Sequence, residues 1–300
     1  MLSICIPIYN FNVEKLVNDL HNQASAVNIN FEIICIDDCS DTNFKNQNKP
    51  ITGLNHVKYV ELNENIGRSK IRNLFLQYAS YDHLLFLDCD VEIISESFIK
   101  EYIESIDSDS KLICGGLLYS SEKPPKEFRL RWKYGHAKEI VSMENRLRNP
   151  YKSFKTVNFI IKKDVFGAIK FDERITGYGH EDTWFGYQLK KAGIQIKHID
   201  NPVLHIQLET NEQFIIKTEQ SIESLIQIQR MTNDLEFEKE ITLLKIYRKL
   251  KSLKIIFFIS LLFWISKSAI RNLLVSGFAN TCLFAAYKLG FLTQCINKKQ

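Results

Sequence analysis

The sequence predicts an α/β protein, a mostly parallel sheet flanked by helices, followed by a helical, membrane-associating C-terminal region. Three observations carry this. Short apolar runs alternate with amphipathic stretches through the first hundred positions. Three of those runs end in polar residues, as strands do where ligands collect at the carboxyl edge of an open sheet. From Ile241 to Gln300 the chain carries ten Lys or Arg and no Asp or Glu, mixed with Phe, Leu and Ile.

Leu2 to Ile8 reads as the first strand, leading into Tyr9-Asn10. Val13, Leu16, Val17 and Leu20 then share one helical face. Phe31 to Ile36 is a second strand, ending in Asp37-Asp38-Cys39-Ser40-Asp41, and Val57 to Leu62 is a third. Asn63 to Gly67 turns into a helix with Ile71, Leu74, Phe75 and Tyr78 at helical spacing. Leu84 to Leu87 is apolar on both faces, as a buried parallel strand is, and stops at Asp88-Cys89-Asp90. Two carboxylates at a strand exit suit a hard divalent cation, Mg²⁺ or Mn²⁺. Alone, Asp-x-Asp equally describes a cap and a turn.

Composition bounds the function. The 45% hydrophobic and 25% charged fractions are those of a globular chain. The net charge of +4 hides a basic tail behind a body with 29 basic and 35 acidic residues. No nucleic-acid partner is expected, because the tail's charge is interleaved with oil instead of spread over a polar groove. A dinucleotide fold needs Gly-x-Gly-x-x-Gly after the first strand, where this chain has Pro7-Ile8-Tyr9-Asn10. The seven cysteines show no metal-finger spacing, and Cys5, Cys35 and Cys114 read as reduced core residues. With a strand starting at Leu2 and no basic leader, no signal peptide is expected.

Ser3-Ile4-Cys5-Ile6-Pro7-Ile8-Tyr9-Asn10, Asp37-Asp38-x-Ser40, Asn65-x-Gly67 with Arg72-Asn73, and Asp88-x-Asp90 resemble, in unbroken order, the family 2 glycosyltransferases of the GT-A fold. The resemblance implies that Pro7, Tyr9, Asn10 and Asp38, with or without Asp37, hold the uracil and ribose of a UDP-sugar. It places Asn65, Gly67, Arg68 and Arg72 near the nucleotide, and gives Asp88 and Asp90 the ribose and a Mn²⁺ or Mg²⁺ ion on the diphosphate. A solvent-facing helix position is the alternative for Arg72.

Ser97 to Ile106 reads as a helix and Leu112 to Tyr119 as a strand. Glu122 to Asn149 lacks periodicity and suits either a mobile loop over a substrate or a surface connection. Thr156 to Lys162 is a strand containing Asn158. Thr176-Gly177-Tyr178-Gly179-His180-Glu181-Asp182-Thr183-Trp184 opens a helix whose first-turn charges already favour it. The stretch is also similar to the Trp/Tyr-Gly-x-Glu-Asp motif of β-1,4-galactosyltransferases, polypeptide GalNAc transferases and chondroitin polymerases. That similarity implies Asp182 as general base and Glu181 as its hydroxyl-fixing neighbour, the two roles being exchangeable. It puts Asn158, Gly179, His180 and Trp184 at the acceptor or donor sugar. By the same resemblance His205, after Val203-Leu204, completes the metal site with Asp90 and Asp88; a structural histidine is the alternative.

Asn211 to Met231 and Asp234 to Lys251 read as helical. Ile255 to Ser266 is an oily run of twelve residues, short of the ~20 that a span needs. It and Leu273 to Leu292 read as interfacial helices, each nearby basic residue adding ~1 kcal/mol on anionic lipid. A buried hairpin or a dimer contact is the alternative, with a re-entrant or spanning hairpin as a further one. The expected domains are 1–210 (a nucleotide half, 1–120, and an acceptor half, 121–210) and 211–300, with 252–292 at the membrane interface. The expected activity is inverting, metal-dependent transfer of a hexose or N-acetylhexosamine from a UDP-sugar to a glycan or lipid-linked saccharide, on the cytoplasmic face of an anionic membrane. A non-catalytic scaffold of the same fold, or a sugar nucleotidyltransferase, is the competing reading.

Overall fold

The computed structural model of the chain describes residues 1–297. In chain order its elements are β1 (Leu2–Ile8), α1 (Glu14–Ala26), β2 (Phe31–Asp37), α2 (Thr42–Asn48), β3 (Val57–Glu61), α3 (Arg68–Tyr78), β4 (His83–Leu87), β5 (Val91–Ile93), α4 (Phe98–Ser105), β6 (Leu112–Cys114) and β7 (Leu117–Tyr119). Then come α5 (Arg129–Tyr134), α6 (Met143–Arg148), β8 (Asn158–Lys162), α7 (Lys163–Ile169), α8 (Glu181–Lys191), β9 (Ile196–His198), β10 (Val203–His205), α9 (Asn211–Thr232), α10 (Leu235–Glu240), α11 (Thr242–Ser252), α12 (Ile256–Val275) and α13 (Thr281–Asn297). They form two compact units. One holds 1–120, 140–173 and 181–207; the other holds 121–139, 174–180 and the residues from Leu208 onward. The expected boundary at 210/211 lies beside the last transition, while the excursions at 121–139 and 174–180 belong to the helical unit.

In the first unit seven strands run in the order β3-β2-β1-β4-β8-β6-β9, and three more in the order β5-β10-β7. β1 pairs parallel with β2 and β4, whereas β8 runs antiparallel to β4 and β6. The alternation of side chains along a strand splits the core in two. Ile4, Ile6 and Ile8 pack with Leu16, Val17, Leu20, Phe98 and Ile99 on one face. Cys5 packs with Ile71, Phe75, Phe86, Phe159 and Phe185 on the other.

The single strand expected from Leu112 to Tyr119 breaks at Gly115-Gly116. β6 stays in the large sheet and β7 passes to the small one. Gly116 takes φ +109, and a Cβ on Gly115 would lie 2.3 Å from Asn201 O and 2.4 Å from Asn158 Nδ2. Only glycine tolerates both demands. The switch creates the small sheet, in which β10 runs antiparallel to β5 with His205 opposite Val91.

Glu122 to Asn149 is not the aperiodic loop expected, since it forms α5 and α6. Each is anchored by a buried arginine. Arg131, in the helical unit, bonds Glu139 at 3.1 Å and Glu209 at 3.0 Å. Arg146, in the first unit, donates to Gly115 O at 2.9 Å and Ile199 O at 3.0 Å.

In the helical unit α9 opens with a Thr210–Gln213 capping box and ends at Asn233 in the left-handed region. α12 continues through Ser266 to Val275, and α13 does not lie open as an interfacial helix would. Phe284, Tyr287 and Leu292 are fully or almost fully buried, Tyr287 donates to Glu219 of α9 at 2.5 Å, and Gly290 abuts Phe263 of α12. Small residues and a paired hydroxyl let α13 pack inward, as in the buried alternative.

Candidate active site

The polar strand exits lie along one edge of the large sheet and are stitched together by short hydrogen bonds. Asn10, at φ +50, donates its backbone N–H to Ser40 Oγ at 2.8 Å, and its Oδ1 accepts from Asp41 N at 2.8 Å. The exits of β1 and β2 are thereby held side by side. The β1–β4 ladder ends at Cys5↔Phe86, so Pro7 follows it with no N–H to contribute. Tyr9 is exposed.

Asp37 points inward. It is fully buried, with Oδ1 accepting from Ser40 N at 2.6 Å and Oδ2 from Tyr59 Oη at 2.8 Å. Burial and the Asp37 carboxylate together push the Tyr59 hydroxyl pKa far up, so it remains a donor. Asp38 faces the other way. Its Oδ1 accepts from Ile66 N at 2.7 Å and Oδ2 from Gly67 N at 3.0 Å, and Asn65 Nδ2 donates to Asp38 O at 3.1 Å. Burial raises the Asp38 carboxyl against the pull of those two N–H groups. Asp38, Asn65 and Gly67 (φ +83) therefore form a clamp that fixes the start of α3. Each Asp38 oxygen retains a lone pair for a further donor.

From α3 two arginines one turn apart reach two other elements. Arg68 Nε donates to Glu181 Oε1 at 2.5 Å, and Arg72 Nη2 donates to Asp88 Oδ1 at 2.7 Å. Arg72 is buried, which excludes the solvent-facing alternative, and its other nitrogen Nη1 donates to Arg68 O at 3.2 Å. It acts on Asp88 instead of lying free for a nucleotide. Glu181 is 4% exposed, and its Oε2 is buried without a hydrogen-bond partner. A buried carboxylate oxygen left open costs free energy unless something donates to it. Asp182, next in α8, accepts from Thr183 N at 2.6 Å and stands 3.4 Å from Lys155 Nζ.

Asp90 immediately precedes β5, and the small sheet carries His205 to it: Nε2 stands 3.5 Å from Asp90 Oδ2. The ring stacks on Tyr119 with centroids 5.2 Å apart, and its Nδ1 is buried and unpaired. One carboxylate oxygen and one imidazole nitrogen at this separation fit a divalent cation, whose adjacent ligands at ~2.1 Å lie roughly 3 Å apart. Among the described residues no cluster of three or more His, Cys, Asp or Glu side chains stands in metal-holding geometry. Of the three-residue set, Asp90 and His205 stand together, while Arg72 holds one oxygen of Asp88.

The four residues expected at the sugar have the following places. Asn158 is buried, with Tyr102 Oη donating to its Oδ1 at 2.6 Å and its Nδ2 donating to Asn201 O at 2.9 Å and Gly116 O at 3.1 Å. Its polar atoms hold the strand switch, both N–H donors being taken. Gly179 (φ +88) belongs to the helical unit, where a Cβ would lie 2.6 Å from Ser221 Oγ of α9; His180 follows at φ +67. Trp184 is 7% exposed in α8, 5.5 Å from the Tyr187 ring. Sequence reasoning missed Lys155, Tyr119 and Arg146, whose partners lie far away in the chain.

This edge of polar exits over a mostly parallel sheet defines a GT-A nucleotide-sugar transferase fold. Among solved structures, the mannosyltransferase PcManGT from Pyrobaculum calidifontis, in complex with GDP-Man and Mn²⁺, matches with a TM-score of 0.59 at 11% identity, over 100% of this chain and 88% of that one. The family profile "Glycosyl transferase family 2" matches residues 3–170, and the chain belongs to that family. Chondroitin synthase of Escherichia coli is 26% identical over 240 residues, 69% of this chain and 34% of that protein. Teichoic acid poly(glycerol phosphate) polymerase of Staphylococcus epidermidis is 25% identical over 185 residues, 59% of this chain and 24% of that protein. The chain thus spans about a third or less of the length of these curated relatives.

Proposed function

We propose that the first unit transfers a hexose or N-acetylhexosamine from a UDP-sugar to a hydroxyl of a glycan or lipid-linked acceptor, with inversion at the anomeric carbon. One observation carries the reading. Arg68 and Arg72 of α3 tie Glu181 of the Gly-x-Glu-Asp stretch and Asp88 of the Asp-x-Asp exit to the same helix face. Carboxylates over ninety positions apart in the chain are thereby drawn toward one place, as a site joining donor and acceptor requires.

Asp38 and the β1 exit hold the uridine, and Asp88, oriented by Arg72, leaves Oδ2 for a ribose hydroxyl. Asp90 and His205 would hold Mn²⁺ or Mg²⁺; when bound, the ion supplies charge neutralisation on the diphosphate. Asp182 takes the proton from the acceptor hydroxyl, whose oxygen bonds to the anomeric carbon as the bond from that carbon to the UDP oxygen breaks. Glu181 Oε2 accepts a saccharide hydroxyl and fixes its angle. The basic, oily C-terminal helices keep the enzyme at the cytoplasmic face of an anionic membrane, where a lipid-linked or surface glycan is built. The chondroitin synthase and teichoic acid polymerase relatives support a polymer acceptor.

A panel of UDP-sugars with Mn²⁺ tests the donor, since a ligand that binds only the folded state raises its melting temperature. Asp182→Asn should keep that shift and lose transfer by at least ~10²-fold, the lower end of general-base assistance. Near-normal turnover by this variant removes Asp182 from the role.

A further inference from the structure

We infer that the chain inserts into one leaflet of an anionic bilayer through the α11–α12 corner and the first turns of α12, and that α13 buttresses this element without touching lipid. The inference deepens the membrane part of the proposed reading and is independent of the transfer chemistry.

α12 is long and apolar enough to cross a membrane, yet only 11% of its apolar stretch is buried. At 100° per residue, Phe257, Phe258, Leu261, Leu262, Trp264 and Ile265 cover an arc of about 160°. These six side chains are 45–72% exposed. The two fully buried residues of the helix, Phe263 and Leu274, point to the opposite side. The helix is thus docked along one stripe and bare along the other. An exposed apolar face of this size marks an interaction site.

The face is short. From Phe257 to Ile265 it runs about 13 Å, whereas a hydrocarbon core is ~30 Å thick. Beyond it the middle of that side carries exposed Ser268 and Asn272, with Ala269 beside them and Leu273, 49% exposed, at its margin. A spanning helix would continue oily; an in-plane helix would stop here.

Charge selects the occupant. In the second half of α12, Arg271 is held by Glu212 at 3.0 Å and Lys267 lies 3.8 Å from Glu219. Lys245, Lys249, Lys251 and Lys254 are instead exposed. They flank Leu253 and Ile255, which are 58% and 39% exposed, at the entry to α12. Cations around an oily tip, with a Trp at its far end, match the headgroup layer of an anionic leaflet. A second copy of the chain would bring four like charges against four.

The full chain is tested by co-sedimentation with phosphatidylglycerol/phosphatidylcholine vesicles and with phosphatidylcholine alone. Binding should need the anionic lipid. Phe257→Ser with Phe258→Ser should weaken it at least ~10-fold, and Lys251→Ala with Lys254→Ala roughly 25-fold, ~5-fold for each charge. Ala285→Ser with Ala286→Ser, on the open side of α13, should change nothing. Trp264 emission, identified by its loss in Trp264→Phe, should be quenched more by a shallow than by a deep spin-labelled lipid. UDP-sugar binding should be unaffected by the Phe pair, which separates failure here from failure of the transferase reading. Equal binding to neutral vesicles, stronger deep quenching, or loss of binding through the α13 pair would overturn the inference. So would self-association by light scattering, abolished by the Phe pair, without vesicle binding.

Discussion

Removing Arg68 is the sharpest probe of the site, because its partner has no substitute. Glu181 is 4% exposed, Arg68 Nε lies 2.5 Å from its Oε1, and its Oε2 has no donor. Stripping one partner from a fully buried ion pair costs ~3–5 kcal/mol. The Arg68 side chain is 43% exposed, so water enters its place and screens part of that loss. Arg68→Ala should therefore destabilise the first unit by ~1–3 kcal/mol, the range for leaving a buried hydrogen-bonding group without its partner. Urea unfolding of Arg68→Ala, Glu181→Gln and the double variant measures it. In the double variant no charge is stranded, and at least ~1 kcal/mol should return as coupling between contacting residues. Transfer should not return, since the hydroxyl-accepting carboxylate is gone. Arg68→Lys keeps the charge without the planar fork and should fall between. If Arg68→Ala unfolds within ~0.5 kcal/mol of the parent and adds simply to Glu181→Gln, the pair does not organise the site.

Asp90→Ala and His205→Ala should each abolish the extra thermal stabilisation that Mn²⁺ adds to UDP, while leaving the melting temperature without ligand within a few degrees. Retention of the Mn²⁺ increment in both variants excludes them as its holders. Asn158→Leu strands Tyr102 Oη and the carbonyls of Gly116 and Asn201, and should cost ~3 kcal/mol in urea unfolding; a neutral result would mean the switch needs no staple. In the helical unit burial alone would raise the Glu209 carboxyl, but Arg131 and Lys217 bring it down from 4.5 to about 2. That stabilisation is complete above the unfolded value and fades as pH falls toward 2. It amounts to at most ~3 kcal/mol, and Glu209→Gln should flatten the acid limb of a stability profile between pH 5 and 2.

The sheet was legible because its strands obey a simple period. β1, β2 and β4 are apolar on both faces and end in polar residues, so their number, their order in the chain and their exits follow from the sequence. The same period also bears on the adjacent aspartates: neighbouring strand residues face opposite ways, so Asp37 and Asp38 do not share a task. What stayed hidden depends on partners chosen at long range. Asn158 has the residue type of a sugar ligand and spends every polar atom on Tyr102, Gly116 and Asn201. Arg146 sits in a charged, aperiodic stretch that carries no mark of burial, yet it holds two carbonyls beside the glycine break. The pairing of His205 with Asp90 needs that break, since only a strand leaving the large sheet builds the small one.

Residues 66 to 72 bear on more of the site than their length suggests. The backbone N–H groups of Ile66 and Gly67 hold Asp38, the side chain of Arg68 holds Glu181, and that of Arg72 holds Asp88. A helix turn is stiff, so these three carboxylates cannot shift independently. If Asp38 accepts a uracil N–H, as proposed, its movement would pull on the first turn of α3, and the same turn carries the only donor to Glu181 Oε1 among the described residues. Donor binding at one end would then be felt as the aim of a hydroxyl acceptor at the other, through three hydrogen bonds and the first turn of the helix. On that proposed reading the nucleotide sugar should bind before the acceptor, and product-inhibition kinetics that instead show random addition would refute the coupling.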